Sequence, residues 1–127
     1  MKMDAARKIG AFLYVRGLVN EDLPPSEILD RSSKLVDCLS RLVDNLSAAA
    51  DDDSEEDIQS IYYEAGKLNF GSELRWWFSA LYQILLGQPD GPRLGQFTKI
   101  MTMSWVIDRI NDTLDDPWSQ RPILTRT

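Results

Sequence analysis

The sequence predicts an all-α protein, a compact bundle of about five to six helices. Apolar residues recur at three- and four-residue steps along most of the chain, the period of helices with one face in a core. Strand-like alternation over four to eight residues is hard to find, and β-branched clusters bounded by turns are missing. Proline and glycine punctuate the chain between the periodic segments, at Pro24 and Pro25 and again from Gly87 to Pro92. With 127 residues the chain can bury one continuous core without disulfides or metals. A single helical domain is assigned to residues 1–114, and residues 115–127, with two prolines and no period, to an irregular tail on which Trp118 could dock.

A first helix is expected from Asp4 to about Val19, with Ile9, Phe12, Leu13 and Val15 or Arg16 around its core face and Gly10 and Gly17 weakening its regularity. Pro24 and Pro25 oppose its continuation. The second helix, from about Ser26 to Ala49, has the cleanest stripe: Leu35, Cys38, Leu39, Leu42, Val43 and Leu46. A third runs from about Ser54 to Leu68, with Ile58, Ile61, Tyr62, Ala65 and Leu68 inward and Asn69 and Gly71 at its end. Ser72 is the expected cap of a fourth helix that Gly87 stops at Leu86. A fifth begins near Pro92 or Arg93, where proline is tolerated in a first turn. A sixth spans Ser104 to about Leu114, with Val106, Ile107, Ile110 and Leu114 apolar.

Composition removes several chemistries. The sequence has no histidine, so there is no imidazole base, no Ser-His or Cys-His pair and no histidine metal ligand. Its one cysteine, Cys38, lies in the second helix's apolar stripe and reads as core. A zinc site of the usual type is therefore excluded, and no cofactor, metal or membrane span is expected. No cleavable signal pattern opens the chain, and a cytoplasmic location is the simplest fit. The run Asp51 to Asp57 holds six carboxylates in seven residues, but it lacks the glycine and spaced ligands of a calcium loop. It reads as a solvated linker, with Ser54 and Asp57 forming a capping-box-like start to the third helix. No carboxylate pair is placed with a second catalytic group, so no catalytic residue is assigned.

Charge is unevenly distributed. Residues 1–57 carry thirteen acidic and seven basic side chains, whereas residues 58–127 carry seven of each. The net charge of −6 thus lies in the first half. It repels nucleic acid at long range, while the neutral second half can still present a local basic surface.

The stretch RWWFSALYQILLGQPDGPRLGQF, Arg75 to Phe97, sets two tryptophans side by side. Leu74, Trp77, Phe78, Leu81 and Leu85 share one helical face. Trp76 then points roughly opposite, beside Ser79 and Gln83 and next to Arg75. Either the fourth helix is central and packed on two sides, or Trp76 is an exposed aromatic that could stack a base or anchor a protein. The corner after this helix is assigned to Gly87, Gly91, Pro92 and Gly95. Gly91 permits a tight approach and Pro92 sets φ for helix entry. Arg93 places a cation near free amide N–H groups, where it would either salt-bridge across the corner or reach a phosphate.

Residues Ile58 to Met101 resemble the C-terminal helical region of class I lysyl-tRNA synthetases, the archaeal-type enzymes also found in some bacteria. The resemblance rests on Tyr63, Glu64, Gly66 and Lys67, then Leu74, Arg75, Trp77, Phe78, Ala80, Leu81 and Tyr82. It continues through Leu86, Gly87, Gly91, Pro92, Arg93, Gly95 and Phe97. It implies an anticodon-binding, helix-cage-like domain with lysine-specific tRNA as partner and no activity by itself, since the ATP-binding motifs of the catalytic half are absent. The family often carries a basic residue where Ser79 stands and a polar one where Trp76 stands. It commonly has a tyrosine–glycine break where this chain reads Met101-Thr102-Met103-Ser104.

Two functions follow. The first is a tRNA-binding domain that is part of, or derived from, a lysine–tRNA ligase, with Lys67, Arg75, Trp76, Arg93, Lys99 and Arg109 as candidate contacts. The second is a protein-interaction or assembly module descended from that domain with RNA binding lost, its partner a catalytic synthetase half or another protein.

Overall fold

The computed structural model describes residues 2–20, 22–50 and 52–117, with side chains from residue 5 onward. Six helices follow one another: α1 (Lys2–Val15), α2 (Pro25–Ala48), α3 (Glu55–Phe70), α4 (Leu74–Leu86), α5 (Leu94–Met101) and α6 (Met103–Asp115). There is no strand among the described residues, and no helix is long and apolar enough to cross a membrane. The helices close around one continuous core that includes Phe12, Leu39, Leu42, Tyr62, Trp77, Leu81 and Ile110. The expectation that Trp118 docks on the body falls outside the described residues.

The α2 stripe is the spine of the bundle. Leu35, Cys38, Leu39, Leu42 and Leu46 are buried and Val43 is half-buried against the same core, as the period predicts. Burial raises the Cys38 thiol pKa above its ordinary value, against the opposing pull of Arg41. α1 crosses α2 at Gly10, where a Cβ would meet Ser32 Oγ at 3.2 Å, so this glycine marks a close crossing rather than an irregularity. α1 ends four residues earlier than expected. Gly17 takes φ 73°, Leu18 N–H donates to Leu13 O at 2.8 Å and Gly17 N–H to Tyr14 O at 3.2 Å, the Schellman closure that glycine permits.

α3 starts as predicted: Ser54 Oγ accepts from Asp57 N–H at 3.1 Å, with Glu55, Glu56 and Asp57 in the first turn. Its inward arc is Ile58, Tyr62, Ala65, Gly66 and Phe70. Leu68 was expected inside and is 76% exposed, because a step of 100° per residue carries it past that arc. Nor does Ser72 cap α4. Glu73 holds the N-cap position without a side-chain cap bond, its carboxylate drawn instead to Arg31 Nη2 of α2 at 3.2 Å.

The corner between α4 and α5 is built as a close approach. Gly87 ends α4 with φ 72°. Tyr82 Oη donates to Pro92 O at 2.7 Å, so the residue expected to open α5 instead supplies a carbonyl that ties the loop back to α4. A Cβ at Gly95 would collide with the backbone carbonyl of Glu55, and Gly95 N–H donates to Gln59 Oε1 at 2.8 Å. α5 therefore crosses the start of α3 nearly backbone to backbone.

α6 begins at Met103, one residue before the expected Ser104, with Thr102 Oγ1 accepting from Trp105 N–H at 3.2 Å. Thr102 lies at φ 83°, ψ 153°, a conformation only glycine adopts freely, in the stretch where the resembled family breaks with glycine. Such strain costs about 1–3 kcal/mol, while exchanging a threonine cap for glycine costs a few tenths. Thr102→Gly should therefore stabilise the fold by roughly 1 kcal/mol, read as a higher urea midpoint at unchanged slope. A lower midpoint would show that the strain is not there.

Candidate nucleic-acid interface

The seam between α3 and α4 decides which side chains reach solvent. Trp77 lies flat against Gly66, whose missing Cβ the indole would otherwise strike, and Trp77 Nε1–H donates to Tyr62 O at 2.9 Å. One flank of the seam is covered. Arg41 Nη1 donates to Ala65 O at 2.8 Å and Asn69 Nδ2 to Lys34 O at 3.2 Å, which fixes α2 on that side of α3. Trp76 faces the same way: its Nε1–H donates to Leu18 O at 2.7 Å, beyond α1.

Stepping the other way at 100° per residue leads to the opposite flank. There α3 presents Tyr63 and Lys67, and α4 presents Leu74, Phe78 and Tyr82, with Arg75 at the outer edge. Arg93 follows from the corner and acts electrostatically on Tyr82. Tyr63 and Lys67 are exposed, with Lys67 Nζ 5.7 Å from the Tyr63 ring centroid. Arg75 and Arg93 are exposed, and neither side chain has a hydrogen-bond or ion-pair partner among the described residues. Of the two readings for Arg93, the salt bridge across the corner does not form among the described residues, and the Tyr82–Pro92 bond ties the corner without it. Burial, with Asp90 adding, raises the Tyr82 phenol pKa above its ordinary value against the pull of Arg93. Arg75 and Tyr82 stand two turns apart, about 10 Å along α4. The flank is an aromatic ridge with cations along its edges, the combination that single-stranded nucleic acid meets on its binding proteins.

The other three candidates lie elsewhere. Trp76 is a packing residue: its ring centroid is 5.1 Å from that of Phe70, and the Arg31 guanidinium sits 4.7 Å over it. One Arg31 nitrogen, Nη1, is buried without a hydrogen bond, and the adjacent ring face accounts for its tolerance there. Lys99 donates to Asp53 O at 2.9 Å, at the start of α3 and about 20 Å along that helix from Lys67. Arg109 is half-buried on α6 and donates from Nε to Ile84 O at 3.2 Å. Burial lowers its pKa, and nearby Arg16 lowers it further against Asp112. Arg16, read from the sequence only as an alternative to Val15 on the core face of the first helix, donates to Gly87 O at 3.4 Å. Two cations, one just past α1 and one on α6, thereby supply the basic end that α4 lacks in its own last turn. Tyr63 was noted only within the family resemblance; the signal that could have found it was its pairing with Tyr62, since adjacent helical residues cannot share one buried face.

Among the described residues no group of three or more His, Cys, Asp or Glu side chains is placed to hold a metal ion.

A segment of this chain is similar to lysine–tRNA ligases. Over 51 residues, 40% of the chain, it is 49% identical to that of Rickettsia prowazekii (strain Madrid E). Over 59 residues it is 46% identical to that of Rickettsia bellii (strain OSU 85-389), and over 60 residues 40% identical to that of Roseobacter denitrificans. The chain spans about a tenth of the length of these relatives: the matches cover 10%, 11% and 11% of them. No family model matches the chain, and no solved structure matches it.

The Trp76 assignment has a direct check. Trp76→Phe keeps a ring against Phe70 but removes the N–H that reaches Leu18 O. It should cost about 1 kcal/mol of stability in urea unfolding, the usual net value of one hydrogen bond; an unchanged midpoint would show that Trp76 is not a packing residue.

Proposed function

We propose that this chain is a non-catalytic tRNA-binding domain of the anticodon-recognising type, related to the C-terminal helical part of class I lysine–tRNA ligases and serving tRNA aminoacylation. One observation carries it: in a segment-wise relative of these ligases, Lys67, Arg75 and Arg93 edge one exposed, aromatic flank of α3 and α4 that helices α1 and α2 leave open. Phosphates would meet these cations, and the aromatic ridge between them offers contact area to bases. The acidic half weakens long-range attraction without occupying this flank, so binding should depend on short-range contacts and on salt.

Filter binding of lysine tRNA across a salt series tests this. Three phosphate contacts give a slope of log affinity against log salt of about −2 to −3, and each of Arg75→Ala and Arg93→Ala should flatten it by roughly 0.7–0.9. Affinity no better than that of an unrelated acidic protein would refute the proposal.

A second function, a protein-interaction or assembly module, is favoured by a different surface. Between α1 and α2 runs a shallow groove of about 330 Å³ lined by Gly10, Ala11, Tyr14, Pro25, Ile28 and Leu29, with Arg7 its one charged lining residue among the described residues. If this groove mediates self-association, light scattering will give a mass above the monomer that Tyr14→Glu abolishes. A monomer at every concentration counts against that use of the groove.

A further inference from the structure

We propose that Tyr63 is the stacking platform of this interface and that it receives an unpaired RNA base. The inference rests on the tRNA-binding function above and adds the contact that distinguishes a single strand from a duplex.

Three observations about the tyrosine support it. Tyr63 is 41% exposed on the open flank, whereas its neighbour Tyr62 is fully buried. Tyr62 and Tyr82 use their hydroxyls inside the protein, on Thr98 Oγ1 at 2.6 Å and Pro92 O at 2.7 Å. The Tyr63 hydroxyl has no such bond among the described residues, so the ring is fixed by its helix and not committed to the core. Finally, Lys67 sits one turn further along α3 with its ammonium 5.7 Å from the ring centroid.

A base stacked on the free face of the ring would place the adjoining phosphate within the field of Lys67, with Arg75 further along the flank. Glu56, two turns before Tyr63 on the same face of α3, and Glu64 and Asp90 are acidic residues near this flank, so the contact depends on where Lys67 stands rather than on a local excess of positive charge. Bases within a duplex are already stacked on both faces and cannot offer one to a side chain, whereas loop bases can. The contact is tolerant of base identity, because every base has a π-face.

The test uses the full chain, the lysine tRNA transcript and RNA hairpins carrying 2-aminopurine in the loop or in the stem. Removing a stacking ring typically weakens binding about five- to a hundred-fold, so Tyr63→Leu should fall in that range with an unchanged salt slope. Tyr63→Phe, which keeps the ring, should stay within about twofold. Lys67→Ala should instead flatten the slope by roughly 0.7–0.9, as one lost phosphate contact requires. Loop 2-aminopurine fluorescence should change on binding to the native protein and not to Tyr63→Leu, while the stem probe stays silent. Circular dichroism shows whether each variant is helical. If the native protein binds tRNA with its salt dependence and Tyr63→Leu matches it, the stacking proposal is overturned while the tRNA-binding function stands. If the native protein binds no RNA, both fall.

Discussion

Where Trp77 meets Gly66, the largest side chain in the core lies on a residue with no side chain at all. The contact brings α4 against the α3 backbone, and the indole N–H closes on Tyr62 O at 2.9 Å. A Cβ at Gly66 would push the helices apart, so this seam sets both their separation and their rotation. Rotation is what function inherits. With Trp77 directed into α3, Trp76 must face α1 and α2, and Phe78 must face the other way. Which side chains are packed and which meet solvent follows from this one contact.

The acidic half of the chain completes the bundle on the closed flank. Its helices contribute Phe12, Leu13, Leu35, Leu39 and Leu42 to the core, so it is an integral part of the fold rather than a removable cover. Several of its polar side chains also act as joints: Arg31 to Glu73, Arg41 to Ala65 O and Arg16 to Gly87 O. These bonds consume cations of the first half inside the structure. The acidic side chains remain on its surface, while across the seam Arg75 and Arg93 are exposed with no partner among the described residues. A protein of net negative charge can in this way keep one local surface suited to phosphate.

Much of the fold was legible in the sequence because the apolar period of each helix is local information. The α2 stripe, the Ser54 cap and the stop at Gly87 follow from spacing and backbone chemistry that tertiary contacts did not override. The misses share a cause. Ser72 lost the cap position to Glu73, which has a partner on another helix 42 residues away. Leu68 sat one step outside an arc whose edge only the neighbours define. Whether Arg93 salt-bridges across the corner or faces outward could not be read from spacing, because the tie is made instead by the Tyr82 hydroxyl to Pro92 O, ten residues later. Of the six candidate contacts, Lys67, Arg75 and Arg93 lie on one flank, whereas Trp76, Lys99 and Arg109 are engaged elsewhere in the fold.

By itself the sequence determined the helices, their inward stripes and the glycine corner, because these depend on backbone sterics and on a periodicity of fewer than four residues. It also ruled out imidazole chemistry by composition alone. The tertiary structure decided the rest. It tied half-buried Trp76 to Leu18, turned Arg109 onto the end of α4, and left Tyr63 beside Lys67 in solvent. The physical reason is that a helix offers several directions around its axis, and only packing against particular neighbours fixes which of them becomes surface.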